Sequence, residues 1–273
     1  VSESPKLSRR VDLAYRIVQV CLLLSLVWKY EFFYQSIQVY AHTPIEDDFF
    51  PGVLRANQVL VGSFAVAVVA TSVSILIRWV WVRHLAGAVA LCSLSVLCLH
   101  QGSYNDATFT TAWWTSLWSC WFVSRMNRDE ADVLVRKAAF LGRCIISMIL
   151  IGGAVGKWTP EYWSGEVLHD IYFIDRQFWT FNWLREHYDE ASLREIATMY
   201  SRFVIVVETG IGLTLWMMPP RTAAVIAIIL LTSMGLFSNF LLFSVLLSLI
   251  GMAVVGLFVG RHSLRPTRKP KIL

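Results

Sequence analysis

The sequence predicts an all-α fold: a polytopic integral membrane helical bundle of about eight transmembrane helices, with an aromatic-rich extracytoplasmic loop that is re-entrant or interfacial. Three observations predict it. Of the 273 residues, 56% are hydrophobic and only 16% charged, whereas a soluble domain is about a quarter charged. Apolar runs close to the roughly 20 residues needed to cross hydrocarbon recur eight times. The connections between them alternate between basic and non-basic along the whole chain.

Residues 1–12 read as a cytoplasmic N-terminal tail with Lys6, Arg9 and Arg10. They lack the apolar core of a signal peptide. Residues 13–260 form the membrane domain, with spans near 13–36, 57–80, 84–100, 109–125, 139–157, 194–217, 221–238 and 240–260. The third and fourth are short for a span, and only Ser238 and Asn239 separate the last two. The first connection carries Glu46, Asp47 and Asp48, and the second Arg78 and Arg83. The third is the nearly uncharged stretch HQGSYND, and the fourth holds Arg125, Arg128, Arg136 and Lys137. The fifth, 158–193, is acidic, the sixth carries Arg221, and 261–273 is a basic tail. Basic connections stay in the cytoplasm, so both termini are expected there, in a bacterial inner membrane. The segment 127–138 reads as a surface helix leading into the fifth span.

The pI near 9.0 comes from these topogenic clusters, so no nucleic-acid partner is expected. Membrane lipids are, and the basic tail suits anionic headgroups. Five cysteines lie in apolar stretches without any CxxC spacing, which reads as inert buried thiols. The six histidines include no pair at metal-ligand spacing, and no nucleotide-binding or hydrolase motif is present. No metal is predicted.

Three places carry candidate chemistry. Lys157 ends the fifth span behind Gly152, Gly153 and Gly156. Small residues let a neighbouring helix approach, so the lysine is expected to pack inside the bundle, where lost solvation favours the neutral amine. The other reading is a lysine snorkelling to the interface. Glu208 lies far from either end of the sixth span, where a carboxylate needs a partner or a wet cavity. Arg202 is off its face, and Lys29 and Glu31 are further candidates. The elbow LHQGSYNDATFTTAWW offers His100, Asn105 and Asp106, either as chemical groups or as turn and cap residues. The loop 158–193 contains Trp158, Glu161, Trp163, Trp179 and Trp183. It is expected to fold back as short interfacial helices, as an aromatic belt or as a lid over a pocket.

Two stretches, YNDATFTTAWWTSLW and GGAVGKWTPEYWSGEVLHDIYF, resemble the membrane domain of vitamin K-dependent gamma-carboxylases and the wider horizontally transferred transmembrane domain (HTTM) family. Lys157, Trp163 and Gly165 fall on that family's G-x-x-K, Trp and Gly positions, and Glu208 on its acidic position in the next span. The sequence has Ala107 where the pattern has a histidine, no histidine within 222–242, and no large extramembrane domain after the last span. The resemblance implies a reduced, vitamin K-like quinone as cofactor and Lys157 as the base. It places Glu208 as a buried carboxylate in the following span. His100, Asn105, Asp106, Trp158, Glu161 and Trp163 are the ligand-binding or supporting groups. A catalytic protein of this kind is a carboxylase-like lyase or a quinol-dependent peptide-modifying enzyme. The alternative is a non-catalytic structural or binding subunit of a larger membrane protein complex.

Overall fold

The structure, a computed structural model, describes residues 8–42, 52–99, 107–175 and 178–260. Helix is the only regular structure among them. The long helices are α1 (Arg9–His42), α2 (Asn57–Leu76), α3 (Val80–Leu99), α4 (Thr108–Arg125) and α5 (Ala131–Val155). Four short elements follow: α6 (Pro160–Trp163), α7 (Glu166–His169), a π turn (Asp170–Asp175) and α8 (Trp179–His187). Then come α9 (Glu190–Thr214), α10 (Pro220–Phe237) and α11 (Phe243–Val254), the last flanked by 3-10 turns at Phe240–Leu242 and Val255–Phe258.

Seven of these helices, α11 taken with its flanking 3-10 turns as Phe240–Phe258, are long and apolar enough to cross a membrane, which marks the chain as an integral membrane protein. The helix α4 falls short on composition, because its buried face is hydroxylic: Thr108, Thr111, Thr115 and Ser119. Spaced three and four residues apart, these positions share one helical face. That face packs against α1 and α11, where Thr108 meets Ser244 at 2.8 Å and Gln19 donates to Ser119 at 2.5 Å. Such small polar contacts hold helices together where water is absent and hydrophobic association contributes nothing.

The helix α1 shows why the chain needs lipid. Val11, Ala14, Tyr15, Val18, Leu22 and Leu26 face the core, while Leu13, Val20, Leu24 and Val27 are exposed. A helix apolar all round belongs in a membrane. Against it lies α11, where Gly251 brings the backbones together: an added Cβ would meet Cys21 Cβ at 2.7 Å. Two apolar clusters fill the bundle, one around Tyr15, Trp118 and Phe122, the other around Phe33, Phe64 and Phe109.

The basic connections meet at one end. Arg10 pairs with Asp132 at 2.5 Å and reaches the Phe258 carbonyl. Arg83 pairs with Asp12 at 2.6 Å, and Arg221 donates to the Val259 carbonyl at 2.9 Å. The starts of α1, α3, α5 and α10 and the end of the last helix therefore share one face of the molecule. The acidic, aromatic segment lies at the other end.

Several local expectations change. The surface helix expected over 127–138 is continuous with the fifth span, because Ala131–Val155 is one uninterrupted helix. None of the five cysteines is buried: Cys92 is exposed and the others are half-buried. In the acidic connection Phe173, Phe181, Leu193 and Ala197 form a small core of their own, so the segment packs as a cap. Its first turns are fixed by Thr159, which caps α6 ahead of Pro160 by accepting from Tyr162 N. Gly165 then turns the chain at φ 84°, and an added Cβ would lie 2.5 Å from the Thr198 backbone. Only glycine permits both that φ and that approach.

Candidate functional site

Two elements bring the site together. The last turn of α5 tightens, with Lys157 N bonded to the Ala154 carbonyl at 2.9 Å and Trp158 N to the Val155 carbonyl at 3.2 Å. That leaves Lys157 just past the helix end, between α5 and the Thr159 cap of α6. The helix α9 runs antiparallel alongside. Gly212 allows the contact, since a Cβ there would lie 2.9 Å from the Ile151 side chain, and Ser147 donates to the Gly212 carbonyl. One helical turn before Gly212 stands Glu208.

Lys157 Nζ is 2.6 Å from Glu208 Oε2 and 3.2 Å from the Gly153 carbonyl. The Glu208 side chain is 4% accessible, that of Lys157 24%. Two of the three ammonium donors are engaged, and Glu208 Oε1 has no hydrogen bond among the described residues. One donor and one acceptor therefore remain for a third molecule. The pair forms the polar end of a cavity of about 460 Å³ between α9, α10 and the cap. Its walls are apolar and aromatic, with Tyr162, Tyr172, Val204, Leu230 and Met234 among them. Phe203 and Phe237, 63% and 51% accessible, stand at its rim on the lateral surface of the bundle.

The residues singled out from sequence divide. Lys157 and Glu208, 51 positions apart, are joined. The expected packing around Lys157 is corrected: Gly152 and Gly156 are exposed, and no neighbour approaches Gly152 within 4 Å. The close helix contact comes instead from Gly212 on the opposing helix. Glu208 is buried, yet it is not far from both ends of its helix. It lies six residues, about 9 Å, before Thr214, because the first turns of α9 belong to the cap. Arg202 donates to the Trp163 carbonyl at 3.2 Å, and Lys29 sits 3.5 Å from the Phe32 ring centre. His100, Asn105 and Asp106 lie outside the described residues.

Trp158, Glu161 and Trp163, expected as ligand-binding or supporting groups, do not line this cavity. The two indoles stack on each other, 5.4 Å between centroids, and Trp158 donates to Thr209 at 3.2 Å on the outer side of α9. Glu161 is fully exposed, and hydrogen bonds from its own backbone and from Thr159 hold its carboxyl below the usual range. Tyr162, between them in sequence, faces the cavity instead.

Sequence reasoning missed Tyr162, Tyr172, Tyr200 and Ser238, all on the cavity wall. A signal was present in α9, since Tyr200, Phe203, Val204, Val207 and Glu208 follow the i, i+3, i+4, i+7, i+8 pattern of one helix face. Among the described residues, no three His, Cys, Asp or Glu side chains gather as metal donors. No family model, no curated protein and no solved structure matches the chain.

Proposed function

We propose that this chain is an HTTM-like membrane protein that binds a reduced, quinone-type ligand from the lipid phase and removes a proton from it. The observation that carries this reading is the Lys157–Glu208 pair at the polar end of an apolar, aromatic cavity of about 460 Å³. The cavity suits such a ligand: its walls match a ring and tail, and the spare donor and acceptor match a phenolic hydroxyl. A reduced quinone supplies an acidic hydroxyl and reacts with oxidants once that proton is gone.

The protein's own part is proton handling. Lys157 and Glu208 are held as a pair by their 2.6 Å contact, along which the lysine can pass a proton to the carboxylate. The pair takes a second proton from a hydroxyl at Oε1 or at the amine and becomes a carboxylic acid beside an ammonium. The ammonium then stands next to the new oxyanion, where a low-dielectric wall makes its attraction strong. In the membrane the basic end is cytoplasmic, α4 is the eighth span, and the cap is extracytoplasmic, in a bacterial inner membrane.

Lys157→Arg tests the base assignment. Arginine keeps charge and length but does not deprotonate in proteins. The variant is expected to assemble at wild-type levels and to lose quinol turnover, as Lys157→Ala does. Full turnover in the arginine variant would sink the assignment. One observation favours the second reading, a non-catalytic subunit of a larger complex: Trp158, Trp163, Trp179 and Trp183 are all exposed on the cap. Purification in mild detergent separates the two, since a stoichiometric protein partner without a bound quinone supports only the second.

A further inference from the structure

We propose that the hydroxyl pair Tyr200–Ser238 is a second polar subsite of the same cavity, receiving an oxygen at the far end of the ligand. The inference rests on the quinol reading above and narrows it: the ligand carries oxygen at both ends of its ring system. Tyr200 and Glu208 lie on one face of α9, two turns apart. Eight residues of ideal helix separate their Cα atoms by about 12 Å, which leaves room for one or two fused rings between a group at each end.

The far end is built from two helices. Ser238 follows the last turn of α10, with its N–H bonded to the Met234 carbonyl at 3.1 Å. There Asn239 breaks the helix, and its side chain accepts from Leu241 N at 2.9 Å. The break holds the Ser238 hydroxyl 2.5 Å from that of Tyr200, and both residues line the cavity. Two hydroxyls bring two protons. Their mutual bond uses one, so one O–H and spare lone pairs stay free for a ligand. Ser233, also on the wall, donates to its own helix at the Leu230 carbonyl, 2.8 Å away, and so offers no free donor. The rest of the wall is mostly apolar, with Leu168, Val204, Val207, Leu230 and Met234 beside the rings of Tyr162 and Tyr172. A fatty acid, polar at one end only, would leave the Tyr200–Ser238 end facing hydrocarbon. A sugar would face the apolar middle with hydroxyls. A ring oxygenated at opposite edges satisfies both ends and the middle.

The test compares two probes on purified protein under reducing, oxygen-free conditions: a naphthohydroquinone, and naphthol, which lacks the distal oxygen. Calorimetric titration of wild type is expected to show roughly three- to tenfold tighter binding of the hydroquinone, the worth of one neutral hydrogen bond. Tyr200→Phe and Ser238→Ala should each reduce that preference and together abolish it, with naphthol affinity unchanged. Equal wild-type affinity for both probes would overturn the subsite while leaving the cavity reading intact. A matching loss of both probes in both variants would also overturn it, because the pair would then be a structural pin between α9 and α10. Wild type binding neither probe would overturn the quinol reading and this inference with it.

Discussion

Removing one partner at a time from the Lys157–Glu208 pair should give unequal losses of stability. Lys157→Met leaves a carboxylate whose side chain is 4% accessible, with water almost wholly excluded. Breaking a buried pair in this way costs about 3–5 kcal/mol. Glu208→Gln leaves an ammonium that keeps the Gly153 carbonyl at 3.2 Å and about a quarter of its surface exposed, 24%. Its solvation is partly restored, so the loss falls to about 1–2 kcal/mol. In the double variant neither charge is stranded, and the two effects should fail to add by about 2 kcal/mol. The assay is reversible unfolding in mixed micelles, with wild type, both single variants and the double variant measured side by side. Additivity within about 0.5 kcal/mol, or a lysine variant no weaker than the glutamine one, would refute the reasoning. Either result would show that the two groups are solvated separately and do not form one desolvated unit.

Other consequences are as direct. Gly165→Ala, forced to φ 84° against the Thr198 backbone, should cost at least about 2 kcal/mol and show as faster proteolysis within the cap. Asp12→Ala strands Arg83, whose side chain is 0% accessible, and should cost about 3–5 kcal/mol in the same unfolding assay. Asp189 caps α9, and the hydrogen bonds from Ser192 hold its carboxyl below the usual range. A lowered value stabilises the fold above the ordinary aspartate range and loses that contribution as pH falls through the lowered value. Wild type should therefore melt above Asp189→Ala at neutral pH, and the two Tm values should converge in acid. Reporter fusions should read cytoplasmic in the α4–α5 connection and extracytoplasmic after α8; a cytoplasmic signal after α8 would invert the scheme.

The bundle was legible because lipid imposes a long-range rule on composition: segment length and loop charge can be counted without knowing any contact. The boundaries followed for the same reason, and the exceptions have local causes. The helix α5 begins at Ala131 because nothing between Asp132 and Ala139 interrupts helical hydrogen bonding, whatever the polarity of the surface. Depth was harder to read. The position of Glu208 within its apolar run gave its burial but not its level in the bundle, since the first turns of α9 leave the bundle for the cap. Side-chain direction in the short turns was not legible. Trp158 and Trp163 drew attention by size, but the Thr159 cap and Gly165 rotate them outward and turn the smaller Tyr162 inward. Pairing across 51 residues left no trace in spacing, because the register of α5 against α9 is set by Gly212 meeting Ile151, a contact with no sequence signature.

That register also changes what a base means in this cavity. A lone lysine at a helix end would be judged by its own solvation, and a lone buried glutamate by its own. At 2.6 Å they are in direct hydrogen-bond contact, so the two groups act on a ligand as one unit. The distinction returns when a hydroxyl enters. Oε1 is the unoccupied acceptor, while the lysine's remaining donor can only give a hydrogen bond until its proton has moved to the carboxylate. A hydroxyl can therefore bond to Oε1 first, and the amine takes its proton once the lysine's own proton has moved to the carboxylate, leaving an ammonium that keeps the oxyanion in place. The two variants separate these roles. If the carboxylate receives the proton, Glu208→Gln should remove turnover while Lys157→Arg, which keeps the charge, retains part of it. If the amine receives the proton, the arginine variant should be as inactive as Lys157→Ala, and the glutamine variant should keep some turnover.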